Sequence, residues 1–152
     1  MTDAATYEKL AAYCSYQERC ATDVARKMQR LKIDKPLFAE YLEKLQQHNY
    51  LNEDRYVKYF VSAHVKKKWG RTKIKAALTA KKLGRELIKK YLDDIDEQGY
   101  DEQLQTIAHK KWNSLKAVTA NEKKTKMLRF LLSKGYEMGK ALNAIKELNK
   151  NI

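Results

Sequence analysis

Apolar residues recur every three or four positions along almost the whole chain. Leu37, Phe38, Tyr41, Leu42 and Leu45 share one face of a helix, as do Leu87, Ile88, Tyr91, Leu92 and Ile95, and Met138, Ala141, Leu142, Ile145 and Leu148. The three stripes are copies of one another. Phe38, Leu42 and Leu45 map onto Ile88, Leu92 and Ile95 with an offset of 50, and onto Ala141, Ile145 and Leu148 with an offset of 103. The helix before each stripe obeys the same offsets, with Val24 and Met28 matching Ile74 and Leu78, then Met127 and Leu131. The residue after the intervening turn is Ile33, Leu83 or Tyr136, apolar each time. This is an internal repeat of about 50 residues, present three times.

Each repeat also has a leading helix. The pattern places one around 4–16, a second around 53–68 and a third around 101–118 carrying Leu104, Ile107, Trp112 and Leu115. Three extra residues in the third repeat blur its register. Breaks are expected at Lys32-Ile33-Asp34 before Pro36, at Leu83-Gly84, at Gln98-Gly99-Tyr100 and at Lys134-Gly135. The expected fold is all-α: nine helices in three tandem three-helix repeats, 1–50, 51–100 and 101–152. A unit of about 50 residues buries too little surface to be secure alone, so neighbouring units support one another, and an elongated, curved molecule is expected rather than a sphere.

Composition narrows the function classes. The 152 residues contain one proline and five glycines, too few for the turns of a sandwich or barrel. Cys14 and Cys20 are too few for a disulfide scaffold, no CxxC occurs, and the histidines lie apart at 48, 64 and 109, so neither zinc nor another cofactor is expected. No apolar run approaches the ~20 residues of a membrane span, and the first ten residues hold no signal-peptide core, which points to a cytoplasmic protein without membrane contact. P-loop, GxGxxG, nucleophile-elbow and HExxH motifs are all absent, so an enzyme is not expected.

Charge changes the picture most. Thirty-two Lys and Arg stand against nineteen Asp and Glu, a formal net charge of +13. Between Lys66 and Lys90 eleven basic residues meet a single acid, Glu86. A second basic cluster includes Lys123, Lys124, Lys126, Arg129 and Lys134, at the same helix position one repeat later. Repeated basic faces suit a phosphate backbone or an acidic protein, and such binding weakens steeply with salt. The candidate contact residues are Lys66, Lys67, Lys68, Arg71, Lys73, Lys75, Lys81, Lys82, Lys124 and Arg129. The second helices offer mostly lysine and apolar side chains, which favours backbone contact over reading of base edges. Trp69, in a basic turn, can stack on a base or cover the junction of two helices, and the junction is the favoured reading; Trp112 reads as core. Asp93, Asp94, Asp96, Glu97, Asp101 and Glu102 form an acidic segment that reads as a solvated turn, with its last two acids at a helix N-terminus.

The stretch YLNEDRYVKYFVSAHVKKKWGRTKIKAALTAKKLG, Tyr50 to Gly84, resembles the middle signature of the RecX family of bacterial RecA regulators. Its most specific part is Leu51-Asn52-Glu53-Asp54-Arg55-Tyr56, followed by Gly70 and Ile74. YCSYQERCATDVARKM (Tyr13 to Met28) and KMLRFLLSKGYEMGKAL (Lys126 to Leu142) are similar to that family's opening and closing units. Ala63-His64 and Cys20 depart from the arginine and serine common there. The resemblance implies three tandem three-helix repeats and a protein that docks on the RecA–DNA filament, with single- and double-stranded DNA as further partners; nothing in the spacing demands a dimer, so a monomer is expected. It also implies damping of filament growth, ATP hydrolysis, strand exchange and stimulated repressor cleavage. A basic helical module that binds nucleic acid through phosphates alone is the alternative.

Overall fold

The computed structural model describes residues 2–116 and 119–150. Among these, nine α-helices follow in order: α1 (Ala4–Tyr16), α2 (Ala21–Arg30), α3 (Phe38–Gln47), α4 (Glu53–Lys66), α5 (Arg71–Ala80), α6 (Arg85–Asp93), α7 (Glu97–Ser114), α8 (Ala120–Ser133) and α9 (Met138–Lys150). A 3-10 turn over Lys35–Leu37, with Pro36 in its first turn, leads into α3. Proline fits there because its missing N–H would have no intrahelical acceptor.

One cap recurs. Lys32, Lys82 and Gly135 sit at matching positions after the second helix of each repeat, with φ of 58°, 66° and 94°. Lys32 and Ile33 donate their N–H groups to Gln29 and Met28 carbonyls, Lys82 and Leu83 to Thr79 and Leu78, and Gly135 and Tyr136 to Leu132 and Leu131. This paired 6→1 and 5→2 pattern satisfies carbonyls that the helix end leaves open, and brings an apolar residue back onto the last turn. Asn49 and Lys68, with φ of 61° and 68°, close α3 and α4 in the same way. Four of the five cap residues are not glycine, so the apolar residue that follows, rather than a glycine, marks these helix ends.

The leading helix of the third repeat differs from its expected bounds. α7 begins at Glu97, four residues early, and ends at Ser114. Gln98-Gly99-Tyr100 is therefore helix and not a break: Asp96 caps α7 by accepting the Gly99 N–H at 2.9 Å, and burial of Tyr100 to 2% exposure holds that turn in place. Of the expected 101–118 helix, Ala117 and Val118 lie outside the described residues.

The chain divides into two compact units, Met1–Phe60 with Leu78–Ile88, and Val61–Ala77 with Lys89–Ile152. The helices of the second repeat contribute to both. In the first unit Leu10, Ala11 and Cys14 of α1, Val24 and Met28 of α2, Tyr41 and Leu45 of α3, and Leu51 form one core cluster. In the second, Tyr100, Leu104, Ile107, Ala108 and Trp112 of α7 pack with Met127, Leu131, Tyr136 and the α9 residues Ala141, Ala144, Ile145 and Leu148. Trp112 is core, as its spacing predicts. Met138 and Leu142, counted in the α9 stripe, are instead half exposed at 51% and 49%.

Candidate nucleic-acid interface

In the second unit the basic segment starts at the end of α4. Lys66, Lys67 and Lys68 are exposed. The left-handed turn at Lys68 folds Trp69 back on His64, with ring centroids 4.4 Å apart. Trp69 is half-buried, and the Lys73 ammonium lies 4.2 Å from its ring centroid. The indole thus covers the α4–α5 junction and holds a cation on its face. Lys75, two residues further along α5, is exposed.

α5 starts against the end of α8. The Gly70 N–H donates to the Lys134 carbonyl at 2.7 Å, and the Thr72 N–H to the Gly135 carbonyl at 2.9 Å. Open donors at one helix start therefore satisfy open acceptors at another helix end. The approach is so close that a Cβ on Gly70 would lie 2.2 Å from the Gly135 carbonyl carbon.

Arg71 is committed to the fold. Its side chain is 14% exposed, pairs with Glu97 at 2.5 Å and Glu137 at 3.0 Å, and donates to the Leu92 carbonyl at 3.2 Å. Its guanidinium carbon sits 4.2 Å from the Tyr100 ring centroid. Burial opposes the guanidinium charge, but the hydrogen bond and charge of Glu137, with Glu97 beside it, outweigh that and hold its pKa above the ordinary value. The Tyr100 hydroxyl accepts the Arg71 N–H at 3.0 Å and donates to Glu137 in a short bond. Burial, with that carboxylate acceptor second, pushes the phenol pKa up. Lys140 joins through Asp101 at 2.5 Å and Glu97 at 3.2 Å. Part of the acidic segment thus forms an ion-pair network around α7, not only a solvated turn. On α8 Lys124 is half-buried, and Lys126 and Arg129 are exposed on one face.

In the first unit Lys81 bridges helices. Its ammonium donates to Asp23 at 2.9 Å and to the Tyr56 hydroxyl at 2.9 Å, and its carbonyl accepts from the Thr22 hydroxyl at 2.6 Å. Burial of Asp23 opposes its charge, yet Lys81 and the Cys20 N–H together hold its pKa below the usual carboxylate range. Lys82 is exposed. The ten predicted residues therefore divide by environment: Arg71 and Lys81 are bound internally, Lys73 lies on an indole, Lys124 is half-buried, and Lys66, Lys67, Lys68, Lys75, Lys82 and Arg129 extend into solvent. The partners Glu97, Glu137, Asp23 and Tyr100 were not legible as partners, because each lies 26 or more residues from its cation. Among the described residues no group of three or more His, Cys, Asp or Glu is arranged to hold a metal ion, and no helix is long and apolar enough to cross a membrane.

Two family profiles match the chain: RecX, second three-helix domain, over residues 52–92, and RecX, third three-helix domain, over residues 98–145. The chain belongs to the RecX family. A regulatory protein RecX from Clostridium perfringens is 31% identical over 112 residues, covering 72% of this chain and 52% of the relative. One from Acinetobacter baylyi is 25% identical over 139 residues, covering 91% of this chain and 85% of the relative. The chain thus spans about half the length of the first of these curated RecX proteins. The crystal structure of RecX from Lactobacillus salivarius superposes with a TM-score of 0.80 at 25% identity, covering 94% of each chain. A second RecX crystal structure has a TM-score of 0.85 at 21% identity, covers 95% of this chain and 72% of that one, and shares the fold. The tandem three-helix repeats deduced from periodicity are the RecX architecture.

Proposed function

We propose that this RecX chain regulates the RecA recombinase by binding the RecA–DNA filament, and that it acts by contact and not by catalysis. Family membership supports the regulatory role. The observation that carries the contact is the run of exposed lysines at the end of α4 and the start of α5, Lys66, Lys67, Lys68 and Lys75. Lys73, Lys82, Lys124 and Arg129 add positive charge, while Arg71 and Lys81 serve first to set α5 in place. Lysine as a flexible point charge suits phosphate or carboxylate partners without reading sequence. Contacts to several sites on a repeating filament would give avidity beyond any single contact.

The test is the double charge reversal Lys67→Glu with Lys75→Glu, which leaves the Arg71 network untouched. Affinity for filaments of the cognate RecA on single-stranded DNA should fall about tenfold or more. The slope of log affinity against log salt should fall by about one per lost phosphate contact. A folded double variant with unchanged affinity and salt slope would remove this face from the mechanism. DNA binding without any effect on RecA would favour the general nucleic-acid module.

A further inference from the structure

Tyr16, the last residue of α1, is 82% exposed, an unusual place for a large ring. Its surroundings are cationic. The Arg19 guanidinium carbon lies 6.0 Å from the Tyr16 ring centroid and 3.7 Å from that of Tyr13, and Arg19 Nε is tied to the Tyr13 carbonyl at 3.1 Å. The Lys27 ammonium of α2 lies 5.4 Å from the Tyr13 ring centroid. The nearby acids do not cancel this charge: Glu18 is paired with Arg55 at 2.5 Å and Asp23 with Lys81 at 2.9 Å. The result is an exposed aromatic ring beside the Arg19 guanidinium, with Lys27 held on the neighbouring Tyr13 ring and the nearby carboxylates paired elsewhere.

We propose that Tyr16, with Arg19 and Lys27, forms a stacking site for an unpaired base of single-stranded nucleic acid. An exposed phenol offers a π-face that any base can cover, and Arg19 and Lys27 lie within reach of the flanking phosphates. An acidic protein would use the cations but would leave the ring without a matching partner, and a paired duplex would hide the base faces. The site lies in the first repeat, away in sequence from the α4–α5 lysines. The inference rests on the reading that the chain contacts nucleoprotein, and it adds a contact to the bases.

The experiment measures binding of a labelled oligo(dT) by fluorescence anisotropy, with no recombinase present, for the parent chain, Tyr16→Ala and Tyr16→Trp. An 82% exposed ring can be removed without loss of core. Tyr16→Ala should weaken oligo(dT) binding about 5- to 100-fold, the factor of one stacked base, while Tyr16→Trp retains it. Its affinity for a blunt duplex and its salt slope should not change, since no charge is lost. Equal binding by Tyr16→Ala and parent, equal weakening on single strand and duplex, or a parent that does not bind oligo(dT) would each overturn the stacking site. Because RecA is left out, such a failure leaves regulation of the filament standing, and that is read separately from RecA activity.

Discussion

Replacing Gly70 with alanine should cost several kcal/mol, although it adds one methyl group. The new Cβ would stand 2.2 Å from the Gly135 carbonyl carbon, 2.3 Å from its oxygen and 2.3 Å from the Tyr136 nitrogen. All three are backbone atoms, so no side chain can swing aside, and α5 and the end of α8 must separate by about 1 Å or more to reach ordinary contact. That displacement stretches the Gly70-to-Lys134 and Thr72-to-Gly135 hydrogen bonds, now 2.7 and 2.9 Å. Each is worth about 1 kcal/mol net, and forced repacking of a tight contact adds about 1–3 kcal/mol. The sum is about 3–5 kcal/mol, and at about 2–4 °C per kcal/mol for a chain of this size, Tm should drop by about 10 °C. Gly139→Ala is the control. Gly139 lies in the first turn of α9 with nothing within 4 Å of an added Cβ, so alanine there should raise stability by about 0.5–1 kcal/mol. Thermal unfolding followed by circular dichroism reads both. A Gly70→Ala variant that melts within 2 °C of the parent would refute the reasoning.

Asp23 makes stability depend on acid. Its native pKa is lowered, so its contribution is complete above the ordinary carboxylate value near 4 and is lost as pH falls through the native value; Asp23→Asn should show a shallower fall in urea midpoint between pH 5 and pH 3, and parallel curves would contradict this. The Cys14 thiol is buried and pushed up to about 11, and burial raises the Cys20 thiol too, so at pH 8 both should react with a disulfide reagent far more slowly in native protein than in denaturant; rapid native labelling of either would count against the packing of α1 and α2.

The repeat was legible because burial acts on the same register three times. Val24, Ile74 and Met127 are all fully buried, as are Met28, Leu78 and Leu131, and a three-residue insertion does not disturb that match. The α7 boundary was not legible, since Gly99 reads as a breaker until Asp96 caps the turn and Tyr100 is drawn into the core. Basic character was legible as a count but not as roles. Lys67 and Arg71 look alike in the chain, yet one extends into solvent and the other pairs with Glu137, 66 residues away. The Gly70–Gly135 approach was equally hidden, because each glycine alone resembles an ordinary helix end. Tyr16 falls two residues after Cys14, off the buried stripe of α1, and that offset is the trace it leaves in the sequence.

Regulation of RecA is tested most directly by the single-stranded-DNA-dependent ATPase of the cognate RecA, with this protein titrated at well below one copy per RecA. ATPase should be lost at those sub-stoichiometric ratios, as expected when a few molecules act on a long filament. Unchanged ATPase at equimolar protein, with the chain folded and bound to DNA, would contradict regulation of RecA.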